Sequence, residues 1–256
     1  MHLHDAFILF AAALFAGIAN SISGGGSFLS FPALLLTGVP PIQANATNTA
    51  ALWPGTVAST GAYRREVAAH LRLVPLLTIV GIAGGLVGAK ILLRTPQSTF
   101  MRLIHWLLLI GNLLFIFSVP IARWVRERTL HRPRVSAATR AATVFLLFVI
   151  TVYIGYFGAG VGILVVAVFA LMGLENMHAI SGLRTYLVSV SNLVAIATFI
   201  AAGAVLWPQA LVMVSGAALG GYGGAHFARK LDARRIRQFI VVVGFATSAY
   251  FFIRAR

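Results

Sequence analysis

Long apolar runs separated by short polar breaks dominate this chain. Residues 7–22, 73–93, 103–122, 141–157 and 236–253 carry few or no charges over close to the thickness of a bilayer core. Such runs predict membrane-crossing helices, because a helix satisfies its own backbone hydrogen bonds in lipid. Two shorter apolar pieces, 27–36 and 163–172, each follow a glycine cluster. At 1.5 Å per residue each covers roughly 15 Å, half of the core. The pattern predicts eight main helices, at about 7–22, 44–63, 73–93, 101–122, 141–157, 178–203, 208–228 and 236–253. The two half-length pieces follow the first and the fifth.

The same unit is written twice. Gly25, Gly38, Gly81, Gly85 and Gly88 recur 135 residues later as Gly160, Gly173, Gly216, Gly220 and Gly223, and Arg102 recurs as Arg237. A fixed offset over half the chain indicates duplication, which in a very apolar chain points to a transporter with a site between its repeats. The organisation is a membrane repeat over 1–122, a basic cytoplasmic linker over 123–140 and a second membrane repeat over 141–256.

Charge placement tests the topology. If the first helix of each half and its short partner form a re-entrant hairpin, each half crosses three times. With the N-terminus outside, fourteen of the Lys and Arg residues then fall on the cytoplasmic side and five outside, with Arg184 inside a helix. If every first helix spans instead, the better orientation places eleven inside and eight outside. The positive-inside rule favours the first arrangement. Three crossings per half make the second repeat inverted relative to the first. The fold class read from the pattern is therefore an all-α polytopic membrane protein of two tandem, inverted repeats, with two short broken or re-entrant segments.

Composition agrees. Of 256 residues, 59% are hydrophobic and only 10% charged, against about 25% charged in globular domains. The mean hydropathy is +0.92. There is no cysteine, which excludes disulfides, thiolate metal sites and a cysteine nucleophile. The net charge of +15 would suggest nucleic acid in a soluble domain. Here the arginines sit between apolar segments and serve orientation, so no nucleic-acid partner is expected. The first residues, Met1 to Asp5, lack the Lys or Arg of a signal peptide, so the first helix is read as part of the mature protein. No paired acids, His-Glu-x-x-His spacing or Gly-x-Ser-x-Gly element supports hydrolysis, and the glycine run lacks a P-loop lysine. The chain reads as no enzyme, with no cofactor and no metal.

The candidate chemistry lies at the breaks. Gly24, Gly25 and Gly26 precede Ser27, and Gly160 and Gly162 precede Ile163. Each break exposes the first N–H groups of a short helix, which are donors and carry partial positive charge, and two of them facing each other would suit an anion. The plainer reading, close helix packing at small residues, is assigned to Gly81, Gly85, Gly88 and their repeats. After Gly38 come Asn45, Thr47, Asn48 and Thr49, hydrogen-bonding side chains within about one turn. Arg184 lies inside the helix 178–203, where a charge is costly and marks a functional site by default. Its guanidinium suits carboxylate, sulfonate or phosphate oxygens; the alternative is snorkelling to the interface. Asn20, Ser21, Tyr156, His105, Asn112, Asn192 and His178 are weaker candidates, read first as helix-packing or interfacial groups.

The run from Gly17 to Gly26, followed by Pro32 to Gly38 and by Ala44 to Asn48, resembles the sulfite exporter TauE/SafE family of bacterial membrane permeases. The second half echoes it in Gly155 to Gly160 and in Gly182, Leu183, Arg184 and Thr185. The resemblance covers residues 7–253. It implies export of sulfite, an organosulfonate or a related small anion across the bacterial inner membrane, and the chain is accordingly read as a secondary transporter working by alternating access. The partners expected are that anion, the lipid bilayer and a second copy of the chain in a homodimer. The second repeat departs from the first, lacking a proline at the position of Pro32 and carrying Arg184 where Thr49 stands. A non-transporting sensor or assembly protein, or an anion channel, is the competing reading.

Overall fold

The structure is a computed structural model describing residues 1–22, 25–117, 137–172, 174, 176–227 and 233–254. All regular structure among them is helical: α1 Leu3–Ile22, α2 Ser27–Leu36, α3 Pro41–Ala62, α4 Arg64–Ala68, α5 Val74–Arg94, α6 Gln97–Ile116, α7 Ala137–Tyr156, α8 Gly162–Leu171, α9 Met177–Ala201, α10 Trp207–Phe227 and α11 Ala233–Arg254. The two short pieces are ten-residue helices, α2 and α8. The single-turn α4 has no counterpart in the apolar pattern. Gly173, and the linker as far as residue 136, lie outside the described residues, and 137–140 already belong to α7.

Helix starts follow local chemistry. Pro41 opens α3 and Pro96 caps α6, positions where a missing N–H costs nothing. The Asn176 side chain accepts from the N–H of His178 and Ala179 and caps α9. His178 is thus an exposed residue of a capped first turn.

Among the described residues, five helical segments are long and apolar enough to cross a membrane: Leu3–Ser21, Val74–Arg94, Gln97–Ile116, Met177–Ala201 and Arg235–Ile253. This is fewer than the eight hydrophobic helices expected. The apolar part of α7, Ala141–Tyr156, is short, and α3 and α10 do not qualify. The reason in α3 is that its polar residues point inward: Asn45, Thr47 and Asn48 are buried. A helix that turns polar groups to the protein interior need not be apolar all round. Large apolar side chains such as Leu3, Phe7, Ile79, Phe145 and Leu211 face outward, as a multi-pass membrane protein requires.

Glycines set the helix pairs. Gly84, Gly85 and Gly88 of α5 lie against Thr151, Gly155, Val152 and Tyr156 of α7, and Gly216 and Gly220 of α10 lie against Phe10 and Leu14 of α1. Small residues at helical spacing bring two backbones into direct contact, the expected role for this stripe; Gly223, with nothing within 4 Å, departs from it. Both pairs run parallel, and the 135-residue shift converts one into the other. Two further pairs join helices whose ranges are offset by about 135 residues. In α3 and α9, Trp53 meets Ser189 while Tyr63 meets Gly182. In α6 and α11, His105 O accepts from Ser248, Asn112 bonds Val241 O, and Arg237 reaches Phe115 O. In both, rising numbers on one helix meet falling numbers on the other, so these pairs are antiparallel.

Candidate functional site

The first break is a tight hairpin tip; Ser23 and Gly24 lie outside the described residues. Gly25 sits at φ +85°, a left-handed conformation that favours glycine. The Gly26 N–H donates to Asn20 Oδ1 at 2.8 Å, which ties α2 back to the last turn of α1. The N–H groups of Phe28 and Leu29 donate to Gly25 O and Gly26 O at 3.0 and 2.9 Å. The donors expected to stand free at Gly26 and beyond are therefore largely used by the chain itself. Ser27 is half-buried at the first position of α2.

One turn on, Ser30 is fully buried and its hydroxyl donates to Asn48 Oδ1 at 2.5 Å. Asn45 Nδ2 donates to Tyr156 O, the last residue of α7, at 3.1 Å. Asn45 and Asn48 are 2% and 4% exposed. The Asn48 amide nitrogen and the Asn45 amide oxygen have no protein partner among the described residues. Thr49 donates to Asn45 O within its own helix. Thr47 instead accepts from Leu206 N at 3.0 Å and holds the α9–α10 connection, so it serves as a clamp.

The second break runs through Gly158 and Gly160, at φ +74° and +76°. Tyr153 OH donates to Ala159 O at 3.2 Å. Phe157 meets Phe31 of α2 edge-on at 5.3 Å, and Phe100 of α6 packs on Tyr156 at 5.7 Å; such pairs contribute about 0.5–1.5 kcal/mol each beyond burial. Gly160 lies against Gly111 of α6. Gly162 is the first residue of α8.

The two breaks meet on one turn of α6. Gly111 faces both Phe28 and Ala159 O, and Phe115 packs on Phe28 (6.2 Å between centroids) and against Gly25. Arg237 of α11 donates to Phe115 O and Ile116 O, capping the end of α6, with its guanidinium 5.0 Å from the Phe115 ring centre. α6 thus braces both interruptions.

Arg184 stands apart from this cluster. Its neighbourhood on α9 faces the last turn of α3, where Gly182 lies against Tyr63 and Glu66. From Asn45 to that level is about fifteen residues of α3, roughly 22 Å at 1.5 Å per residue. A single compact site holding both Arg184 and the asparagines is not what the structure forms, because α3 and α9 are antiparallel and Arg184 follows the start of α9. Arg184 is half-buried, has no hydrogen bond or ion pair to any described residue, and has the Tyr63 phenol as its electrostatic neighbour.

Sequence reasoning missed Ser30, Asn20 as a cap, and Arg237. A hydroxyl four residues after the glycine that opens the half-length helix, on the face that must pack inward, was the available signal for Ser30. The 135-residue echo of Arg102 marked Arg237 without saying what it touches.

Residues 9–251 match the sulfite exporter TauE/SafE family. The chain belongs to that family. Relatives are named as probable membrane transporter proteins. One from Haemophilus influenzae is 28% identical over 94% of this chain and 92% of its own length. One from Sinorhizobium, ORF9, is 29% identical over 95% of this chain and 90% of its own. YfcA of Escherichia coli K12 is 26% identical over 94% and 87%. No solved structure matches the chain. The family match runs from within α1 into α11, so it takes in both interruptions and the α6 brace between them.

Proposed function

We propose that this protein is a secondary transporter in the bacterial inner membrane that moves a small oxyanion, sulfite or an organosulfonate, by alternating access. Two inverted repeats, 1–122 and 141–256, rock against each other around the interrupted segments. The antiparallel crossing of α3 with α9 and of α6 with α11 supports the inversion: a two-fold axis in the membrane plane makes equivalent helices antiparallel where they meet. The family name and the transporter names of the relatives support transport.

The observation that carries the reading is the buried Ser30, Asn45 and Asn48 group. It joins α2, α3 and the second break, and keeps an amide nitrogen without a partner among the described residues. Amide and hydroxyl donors there would take over hydrogen bonds that the anion makes with water. Arg184, about 22 Å along α3, draws anions to one mouth of the path. The described partners of this group are all neutral, so the anion passes between mouth and centre without being trapped.

Flux of sulfite and sulfoacetate into proteoliposomes tests this. Arg184→Gln is expected to weaken apparent affinity by about tenfold to a hundredfold, the loss of one charge-assisted contact of roughly 1.5–3 kcal/mol. Unchanged affinity in the variant rejects the role of Arg184. A rate that rises with concentration without saturating identifies a channel.

A further inference from the structure

The face of α3 that joins the asparagines to Arg184 carries a second pattern. At about 100° per residue, Asn45, Thr49, Trp53, Thr56, Thr60 and Tyr63 fall within a strip about 80° wide. Thr49, Trp53, Thr56, Thr60 and Tyr63 are half-buried, whereas Pro54, Gly55 and Ala58 on the other faces of the helix are exposed. The strip ends inward at Asn45, 98% buried, and outward at Tyr63 beside Arg184; neither the Asn45 amide oxygen nor the Arg184 guanidinium has a partner among the described residues.

The hydroxyls of Thr49, Thr56 and Thr60 donate to carbonyls of their own helix at 2.8, 2.7 and 2.9 Å. A hydroxyl keeps acceptor lone pairs and can rotate its proton to a guest. Such a row costs little when dry and can hydrate or solvate an ion when open. Trp53 interrupts it midway. Its indole N–H donates to Ser189 O on α9 at 3.0 Å and so ties the two helices together. The next residue, Pro54, lacks the N–H that would bond Ala50 O, and Gly55 beyond it has nothing within 4 Å. The backbone is weakest at that point.

We infer that this strip of α3 is the conduction path between the Arg184 mouth and the Asn45–Asn48 centre, and that Trp53 is its gate, hinged at Pro54 and Gly55. The inference rests on the transport reading and deepens it by assigning the residues between mouth and centre. With the indole tethered to Ser189 the path is shut; breaking that one hydrogen bond and bending α3 at Pro54 opens it.

The absence of cysteine makes the test direct. Single-cysteine variants Thr49→Cys, Thr56→Cys and Thr60→Cys, with outward-facing Ala58→Cys as the depth-matched control, are treated with methanethiosulfonate ethylsulfonate, a membrane-impermeant anion. The reagent is added in the vesicle orientation in which Thr60→Cys reacts. Thiolate forms only where water reaches, so Thr56→Cys and Thr60→Cys are expected to react at least about tenfold faster than Ala58→Cys. Thr49→Cys reacts from that side only when combined with Trp53→Ala, or more slowly with Trp53→Phe, which keeps bulk and loses the tether. Equal rates at positions 56, 58 and 60 overturn the path. A Thr49→Cys rate indifferent to both Trp53 changes overturns the gate. Labelling needs no knowledge of the transported anion, so an unlabelled strip with intact sulfite flux defeats this inference alone. A labelled strip without flux of any oxyanion defeats the transport reading.

Discussion

Gly160→Ala is expected to lower the melting temperature of the detergent-purified protein by on the order of 10 °C, or to abolish the folded species. Two costs add. A left-handed φ of +76° penalises any residue with a Cβ by roughly 1–2 kcal/mol. That Cβ would also overlap Gly111 O and stand 2.8 Å from Gly111 Cα, and forcing α6 away costs a further 1–3 kcal/mol or so. At about 2–4 °C per kcal/mol for a chain of this size, the sum gives the stated shift. Gly61→Ala, in a helical turn with nothing within 4 Å, should be neutral or slightly stabilising. A Gly160→Ala protein that melts with the parent would mean that the second break is not seated on α6, and the shared brace would fail with it.

The double variant Ser30→Ala/Asn48→Leu is expected to keep its fold and lose most of its flux. Buried polar pairs between membrane helices contribute about 0.6 kcal/mol on average and rarely beyond 1.7. Replacing both partners by apolar groups leaves no unsatisfied atom, so stability should move little. Ser30→Ala alone strands the Asn48 amide and should destabilise more than the double change. Transport should respond in the opposite order of concern: a centre without its donors cannot compensate the anion for lost hydration, and maximal flux should fall at least about tenfold, the cost of one lost charge-assisted contact. Near-normal flux in a well-folded double variant would reduce the cluster to a structural staple and remove the observation on which the proposed function rests.

The helices were legible because lipid leaves the backbone few options. Apolar runs of bilayer length place α5 and α11 within about three residues of their sequence estimates, whereas α6 runs over 97–116 against the 101–122 expected; the glycine clusters placed the half-length α2 and α8. The shared role of Gly85 and Gly220 in close packing was also readable, since small residues at helical spacing have one main use between membrane helices. The polar content of Asn45 and Asn48 was visible as well, but not its partners. Ser30, Tyr156 O and Leu206 N come from three other elements, and nothing local to 45–48 names them.

Periodicity and spacing alone determined that this is an all-helical membrane protein, where its two interruptions fall, and that they are related by a shift of 135 residues. Those properties depend on local hydrophobicity and backbone freedom, which each residue carries wherever the chain places it. Only the tertiary structure decided that the donors at Gly26 are consumed by Asn20, that both breaks rest on one turn of α6, and that Arg184 lies far along α3 from the asparagines. Each is a relation between elements distant in sequence. Such relations are set by which helices pack and in which sense they cross, and a one-dimensional pattern does not encode the crossing.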